Sequence, residues 1–482
     1  MDFSSNLEGL KTNIIRWYQF KENSNILVIG EDIRELCNFL TEKNNVKSID
    51  SNVGNISNQK FDYIIIKDNI SYLKDLKKNL NEEGVILLLI NNRWGVTYFA
   101  GNDGFETLYG NKNNLLSKEQ IENKLFEYGY NNYTFFYPLP NYEYTNIIFS
   151  DKYLPNYNDS KLAYNNIYLN ENYLVFNEVE LLRSFTKNCD FTKFTNSYLI
   201  EINPKSSEKA IFYGNSRKEE YKLITKIYDE KVEKETYSKK SLLHLSIIKD
   251  NIEDLKLHSF NMLDTVEKER VISKYVNLPN MYHTAINNIK DGKIEKTIEM
   301  IQNLYYYIKE KFLADKVDIL NQEYFENMDA SKFFILKKGY IDLVFENMFI
   351  DDNQEIYIYD QEWVIDNCPL EFIIFRLINN MYIMNSEIEE YISREDMLNR
   401  FGLLCYFNEF LKAEEIFQNR IVNQDIIKIY NRANEFIISK EDIIKAKENS
   451  NLINLYKAEN YKKERYIESL KAEIERLKKI NN

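Results

Sequence analysis

An acid, an amide and a second acid lie at short spacing in the second half of the chain, and together they could carry out phosphoryl transfer. Asp342 is followed five residues later by Asn347, and Asp360 lies beyond an acidic turn at 351–353. One carboxylate can orient or deprotonate an attacking hydroxyl, while an amide oxygen and a second carboxylate can hold magnesium on nucleotide phosphates. The spacing therefore indicates a phosphotransferase site.

A glycine and an acid that follow two apolar runs near the N-terminus indicate a different chemistry. Gly30 follows the run NILVI, and Asp50 follows VKSI. Glycine permits close backbone approach, and an acid at the end of the second strand can accept hydrogen bonds from a ribose diol. The pair predicts binding of a nucleotide or of S-adenosylmethionine. The loop after Gly30 reads EDIR, without a second glycine, so the side chains of Asp32 and Arg34 would crowd a bound cofactor.

The segment that carries Gly30 and Asp50 alternates apolar runs with helical patterns. Strands are predicted at 25–29, 46–49, 63–66 and 85–90, and helices at 33–40 and 74–80. Strands that are continuously apolar and alternate with helices predict a parallel sheet covered on both faces. Ser117 with Gln120 three residues later predicts a capped helix, and the aromatic run YTFFYPLP predicts a further strand.

The segment that carries Asp342 and Asp360 opens with four strand-like stretches, SYLIEI, AIFYGNS, KLITKIY and KVEKETY, before long helical patterns. A chain of 482 residues is too long for one core. We therefore predict an α/β Rossmann-like parallel-sheet domain, then an α+β domain, then a terminal helix. The predicted boundaries are 1–155 for the first domain, 156–195 for a connector, 196–440 for the second domain and 441–482 for an amphipathic helix or coiled coil.

The blocks NILVIG, KSID, KFDYIII and NEEGVILLLINNRWGVTYFAG resemble those of class I S-adenosylmethionine-dependent methyltransferases. The resemblance covers about residues 15–155. Within it, the block that begins RWGVTYFAG resembles methyltransferase-like domains of bacterial surface-polysaccharide clusters. It implies S-adenosylmethionine as cofactor, with Gly30 and Asp50 as cofactor-binding residues.

The run from Tyr340 to Trp363 resembles the catalytic and metal loops of choline and aminoglycoside kinases. The resemblance implies ATP and magnesium, with Asp342 as catalytic acid/base, Asn347 and Asp360 as magnesium ligands, and Glu362 assisting them. It also implies a phosphate-binding lysine, for which we choose Lys234, with Lys226 as the alternative. Tyr340 stands where the family has histidine, and the covering turn has one glycine, Gly214, where the family has three.

The order of the two segments resembles bifunctional methyltransferase–kinases that cap O-antigen polysaccharides. This implies a role in surface-glycan biosynthesis, with a glycan or glycan precursor as acceptor and a glycosyltransferase as partner of the terminal helix.

The charge and the apolar runs limit the remaining classes of function. The net charge of −13 disfavours nucleic-acid binding, because the chain would repel a phosphate backbone. The N-terminal 20 residues lack the pattern of a signal peptide, and no apolar run is long enough to cross a bilayer. We expect a cytoplasmic protein, either free or peripheral to a membrane.

Three hypotheses remain open from the sequence. The first, which we take as the leading hypothesis because the blocks of the first segment match best along their length, is methyl transfer to a glycan by that segment. The second is phosphorylation of a glycan hydroxyl by the second segment. The third is a scaffold that keeps both folds without catalysis and binds a glycosyltransferase or a glycan. The single-glycine loop after Gly30 bears on the first hypothesis, and the trio Asp342, Asn347 and Asp360 bears on the second.

Overall fold

The structure is a computed structural model that describes residues 4–50, 56, 59–101, 115–155, 167, 174–188, 190–435, 437–438 and 440–480. Of the predicted connector, 156–195, residues 156–166, 168–173 and 189 lie outside these residues. The strands are β1 (Asn25–Ile29), β2 (Asn45–Ile49), β3 (Phe61–Lys67), β4 (Leu80–Asn91), β5 (Tyr133–Leu139), β6 (Ile147–Ser150), β7 (Ser197–Ile202), β8 (Ala210–Tyr213), β9 (Leu223–Ile227), β10 (Lys231–Thr236), β11 (Asn261–Met262), β12 (Asp264–Glu267), β13 (Arg270–Lys274), β14 (Lys316–Val317), β15 (Ile335–Tyr340), β16 (Met348–Ile350), β17 (Ile356–Ile358) and β18 (Val364–Pro369).

The α-helices follow the same chain order. They are α1 (Ser4–Lys11), α2 (Asn13–Arg16), α3 (Arg34–Thr41), α4 (Leu73–Leu76), α5 (Val96–Phe99), α6 (Lys118–Glu127), α7 (Glu178–Lys187), α8 (Phe191–Phe194), α9 (Leu242–Leu257), α10 (Met281–Lys290), α11 (Ile294–Lys311), α12 (Leu370–Met384), α13 (Arg394–Arg400), α14 (Phe407–Ile421), α15 (Gln424–Glu435) and α16 (Lys440–Ile480).

A sheet of 12 strands runs through both predicted domains, in the order β12-β13-β10-β9-β8-β6-β5-β7-β4-β3-β1-β2. The strands β2, β1, β3 and β4 pair in parallel, as the alternation of strands with helices predicts. From β4 to β12 every pairing is antiparallel, so the prediction of a parallel sheet holds for one end only. The observed fold is therefore a large mixed sheet with helices.

The predicted boundary at 195/196 falls just before β7, which lies inside this sheet between β4 and β5. Ile200 of β7 pairs with Leu88 on one side and with Phe135 on the other. The pair β6–β8 then continues the sheet into the later strands through Ile147 and Phe212. Hydrogen bonds between strands thus connect the two predicted domains, and the division between them remains a prediction.

The apolar side chains of the parallel strands are distributed between two cores, one on each face of the sheet. Leu27 and Ile29 belong to one core, whereas Ile26 and Val28 belong to the other. This alternation follows from the twofold side-chain period of a strand. A third core, between 255 and 421, joins the later helices to the strands that surround Asp342.

Two local predictions have different outcomes. Ser117 caps α6, and its side chain and that of Gln120 form the reciprocal capping box that the sequence predicts. The helix predicted at 74–80 is wrong at its end, because α4 stops at Leu76, a 3₁₀ turn follows, and Leu80 already pairs with Phe61 in the sheet.

The predicted terminal helix is present as α16, which has 41 residues. Among the helices in the described part of the chain, none combines the length and apolar character that crossing a membrane requires.

Replacing Gly30 with alanine is expected to destabilise the protein by about 2–4 kcal/mol. Gly30 has a φ of +143°, and an added Cβ would lie 2.7 Å from the Cβ of Lys67 on β3. Denaturant unfolding measures the loss. The control is Gly292→Ala, where φ is +72° but no atom lies within 4 Å of the added Cβ. A loss no larger than that of the control would contradict the packing role of Gly30.

Candidate active site

The two candidate lysines lie on opposite faces of the sheet. Lys226 in β9 is paired with Glu233, and its Nζ contacts Glu235 at 2.6 Å. Because side chains alternate along a strand, Lys234 of β10 points to the other face. There the Lys234 ammonium contacts the Asp360 carboxylate and lies 2.5 Å from the Glu362 carboxylate. Lys234 is thus brought together with the predicted acids, and Lys226 is not.

The segment after β15 places Asp342 and Asn347 beside these acids. The Asn347 side-chain amide donates to the backbone carbonyl of Asp342 at 3.1 Å. One oxygen of the Asp342 carboxylate accepts from the backbone N–H groups of Glu362 (3.1 Å) and Trp363 (3.2 Å). The catalytic and metal loops predicted from the sequence are therefore hydrogen-bonded to each other.

Asp360 follows β17 in a left-handed conformation, with φ of +61°. Its backbone N–H donates to the Asp264 carboxylate at 2.8 Å, and the Asn347 carbonyl accepts from the neighbouring Tyr359 N–H at 3.1 Å. These contacts hold the strand end so that the side chain reaches Lys234. The Asp360 side chain remains 30% exposed, whereas that of Glu362 is 4% exposed.

The charges of the cluster change how its acids titrate. Burial raises the pKa of Asp342 to about 7, against the opposing effect of Arg376, whose guanidinium lies 3.7 Å away. Burial also raises the pKa of Asp360, although Lys234 opposes the shift. Burial acts in the same direction on Glu362, but Arg217 and Lys234 outweigh it and hold its pKa well below the ordinary range. Asp342 is therefore suited to exchange a proton near neutral pH.

Two basic residues beside Glu362 were missed in the sequence, as was Arg376 beside Asp342. The Arg217 guanidinium contacts the Glu362 carboxylate at 2.5 Å, and His244 of α9 lies 3.3 Å from the same oxygen atom. The His244 ring also stacks on Trp363, with ring centroids 4.4 Å apart. Arg217 is only three residues from Gly214, so the covering turn was a signal for it. No local pattern marks His244.

Tyr340 occupies the place where the kinase families have a histidine, and its role here is structural. Its side chain is buried, stacks on Phe312 and donates to the carboxylate of Asp254 on α9. The tyrosine thus ties the strand before Asp342 to α9.

The cluster contains oxygen atoms of the kind that supply some of the ligands in a magnesium–nucleotide site. Within the described residues, no group of three His, Cys, Asp or Glu side chains is arranged to hold a metal ion. Magnesium at nucleotide sites needs only one or two carboxylates, because substrate phosphates and water supply the other ligands. Asp360 and Asn347 offer a carboxylate and an amide for this. Both oxygens of Glu362 already contact cations, and its role as a metal ligand stays a prediction.

The residues predicted to bind S-adenosylmethionine lie at the carboxyl edge of the parallel strands. Asp50 is exposed directly after β2. The side of Gly30 that lacks a Cβ faces Lys67, so the glycine serves strand packing at this point. The roles of both residues in cofactor binding stay predictions.

A small, open cleft lies beside Gly30, where the loop at Asp32 meets the ends of β3 and β4 at Lys67 and Leu89. Two ion pairs lie in it, Lys11 with Asp32 at 3.0 Å and Lys67 with Glu143 at 3.4 Å. Charges of both signs suit the amino-acid part of a zwitterionic ligand, although Asp50 does not line the cleft. The lining residues are Lys11, Ile14, Asp32, Glu35, Leu36, Lys67, Leu89, Tyr142 and Glu143.

Comparisons with known proteins give structural neighbours of both predicted kinds. No protein-family model matches the chain, and no curated protein matches it. A methyltransferase from Thermotoga maritima, described as a possible histamine N-methyltransferase, matches 28% of this chain and 75% of its own, with 14% identity and a TM-score of 0.22. Choline kinase LicA from Streptococcus pneumoniae matches 46% of this chain and 89% of its own, with 14% identity and a TM-score of 0.22.

The bifunctional kinase-methyltransferase WbdD matches nearly the whole chain. The match covers 87% of this chain and 89% of WbdD, with 9% identity and a TM-score of 0.23. At such identities and TM-scores the neighbours carry no argument about activity. The structural neighbours of the chain thus include S-adenosylmethionine-dependent methyltransferases, choline and aminoglycoside kinases, and a protein described as both a kinase and a methyltransferase.

Proposed function

We propose that the protein transfers a phosphoryl group from a nucleotide to a hydroxyl at the cluster around Lys234. The observation that carries this proposal is the contact of one buried ammonium with two carboxylates, Asp360 and Glu362, whose loop is hydrogen-bonded to Asp342. A cation for phosphates, an accessible acid for a metal and a raised-pKa acid for a proton are the parts that phosphoryl transfer needs.

Each residue has one task in this proposal. Asp342 orients the acceptor hydroxyl and takes its proton as the oxygen–phosphorus bond forms, while the nucleotide leaves as its diphosphate. Lys234 holds the phosphates, and Asp360 with Asn347 would hold magnesium, which would neutralise phosphate charge. Glu362 keeps Lys234 in place, because it contacts that ammonium and the Arg217 guanidinium at once.

Calorimetric titration with Mg-ATP tests the proposal on the full chain. We expect binding by the wild-type protein, weaker binding without magnesium, and a loss of about tenfold or more in Asp360→Asn. Asp352→Asn is the control, because Asp352 is exposed on the turn before β17 and should keep wild-type affinity. Wild-type protein that binds no Mg-ATP would sink the proposal.

The acceptor that we propose is a hydroxyl of a surface glycan or a glycan precursor, as the resemblance in sequence implies. We further propose that α16 binds a partner such as a glycosyltransferase. Its described side chains from 444 to 471 are exposed, Leu452 and Leu470 among them. Helices in proteins gain most of their stability from packing of an apolar face, so a partner that covers these leucines would stabilise α16. If the glycosyltransferase still binds after residues 445–482 are deleted, this role of α16 is refuted.

Methyl transfer from S-adenosylmethionine is the second candidate, and the cleft beside Gly30 supports it. Ligands of Rossmann-like sheets bind at the carboxyl ends of the strands, where this cleft lies. Titration with S-adenosylmethionine tests it, with Asp50→Ala expected to weaken binding if Asp50 meets the ribose. Absence of binding in both this titration and that with Mg-ATP would leave the scaffold hypothesis.

A further inference from the structure

The turn between β8 and β9 lies over the candidate site but lacks the usual glycines. Its sequence is GNSRK, with Gly214 as the one glycine. Glycine-rich turns bind phosphates through backbone N–H groups that come close to the ligand. With a single glycine, this turn needs another source of positive charge if it is to cover phosphates.

The backbone of the turn is attached to the junction of α14 and α15. The Asn423 N–H donates to the Ser216 carbonyl at 2.8 Å, and the Lys218 N–H donates to the Ile421 carbonyl at 2.8 Å. Between these bonds, Arg217 forms an isolated β-bridge with Val422. The backbone on both sides of Arg217 is therefore held without help from its side chain.

The side chains of Arg217 and Lys218 leave the turn in different directions. The Arg217 guanidinium reaches Glu362 at 2.5 Å and lies 5.6 Å from the Trp363 ring centroid. The Lys218 ammonium instead donates to the carbonyls of Asn419 and Arg420 at 3.0 and 2.9 Å. Only the first of these neighbouring cations faces the cluster.

We propose that Arg217 is a phosphate-binding residue that acts with Lys234 and replaces the missing glycines of the covering turn. This inference rests on the proposed phosphotransferase function. A guanidinium can bind phosphate with two parallel hydrogen bonds, which an ammonium cannot. Arg217 is also the more accessible cation, with a side chain 28% exposed against 12% for Lys234.

The charges of the cluster agree with this role. The cations Arg217 and Lys234 balance the carboxylates Asp360 and Glu362. Magnesium at Asp360 would add two positive charges, which the phosphates of the nucleotide would offset. A role limited to fastening the turn is a poorer explanation, because backbone bonds already fasten it and Glu362 has partners in Lys234 and His244.

The test compares Mg-ATP with AMP. AMP keeps the α-phosphate but lacks the β- and γ-phosphates, which are the ones that Arg217 would hold. In Arg217→Gln we expect about a tenfold or greater loss of Mg-ATP affinity and less than about a twofold change for AMP. Arg217→Lys keeps the charge and should recover part of the loss. Lys218→Gln is the matched control on the same turn and should bind both ligands as the wild type does.

The possible outcomes separate this inference from the function on which it rests. Wild-type protein that binds Mg-ATP no more tightly than AMP overturns both. If the wild type prefers Mg-ATP and Arg217→Gln keeps that preference, or loses both ligands equally, only the role of Arg217 is overturned. If Arg217→Gln does not fold, Arg217→Lys decides, because an undiminished preference for Mg-ATP together with reduced thermal stability would assign Arg217 a structural role alone.

Discussion

Replacing Lys234 with methionine is expected to abolish measurable Mg-ATP binding, a loss of about 100-fold or more. The methionine side chain cannot bind phosphate, and it leaves the partly exposed Asp360 carboxylate and the buried Glu362 carboxylate without their shared cation. Removing one partner of a buried ion pair costs about 3–5 kcal/mol, so unfolding should also occur at lower denaturant concentration. Calorimetry with Mg-ATP and denaturant unfolding measure the two effects.

Lys226→Met is the matched control for Lys234→Met. Lys226 is also buried in the sheet, 3% exposed at its side chain, and also pairs with a carboxylate, that of Glu235. We expect a loss of stability here too, because Glu235 loses its nearer cation and keeps only Arg270, 3.6 Å away, but little change in affinity for Mg-ATP. Equal losses of affinity in the two variants would show that the effect of Lys234→Met reflects folding and not phosphate binding.

Replacing Asp342 with asparagine is expected to lower the rate of phosphoryl transfer by about 10³-fold and to leave Mg-ATP affinity within about twofold. Asparagine keeps an oxygen that can accept from the Glu362 and Trp363 N–H groups but cannot take a proton. Transfer of labelled phosphate from ATP to a hydroxyl acceptor or to water measures the rate. A variant that retains wild-type turnover would remove Asp342 from the chemistry.

The raised pKa of Asp342 gives this prediction a pH dependence. A base must be ionised to accept a proton, so the wild-type rate should be half-maximal near pH 7 and level at higher pH. Burial raises the pKa of Glu346 to about 7 as well, and within the described residues its buried carboxylate oxygens have no hydrogen-bond partner. Glu346→Gln is therefore the control. If it abolishes the pH dependence while Asp342→Asn does not, the base has been assigned to the wrong acid.

The raised pKa of Asp342 also makes the stability of the fold depend on pH, and stability falls with rising pH whereas the rate rises. Because the folded protein holds the Asp342 proton more tightly than the unfolded chain, this residue lowers stability as pH rises from its ordinary pKa of 3.8 to about 7. Asp342→Asn should thus be at least as stable as the wild type at pH 8. Reduced activity in this variant would then reflect the lost base.

Local patterns in the sequence were sufficient for the strands and for most of the cluster. The apolar runs predicted β1, β3 and β4, because strands buried on both faces must be apolar throughout, whereas β2 is an edge strand with a mixed sequence. The spacing of Asp342, Asn347 and Asp360 predicted that they share a site, because short strands and turns connect them. These predictions depend on residues fewer than 20 positions apart, where covalent connection already limits the geometry.

Contacts between distant residues were decided only by the tertiary structure. The insertion of β7 between β4 and β5 is a choice of strand partners that no local pattern in SYLIEI encodes. The choice of Lys234 over Lys226 depends on which sheet face the later loops cover, and Lys234 is 126 residues from Asp360. Arg217 reaches Glu362 over 145 residues, because the turn is attached to the end of α14.

The sequence by itself therefore determined which residue types could do chemistry, and the tertiary structure decided which of them meet. Periodicity and spacing act through the chain over one or two elements, so they predict strands, caps and the acid–amide–acid loop. The pairing order of a 12-stranded sheet and the packing of α9, α12 and α14 act through space. These contacts bring Lys234, Arg217 and His244 to Glu362, and they turn the open side of Gly30 toward Lys67.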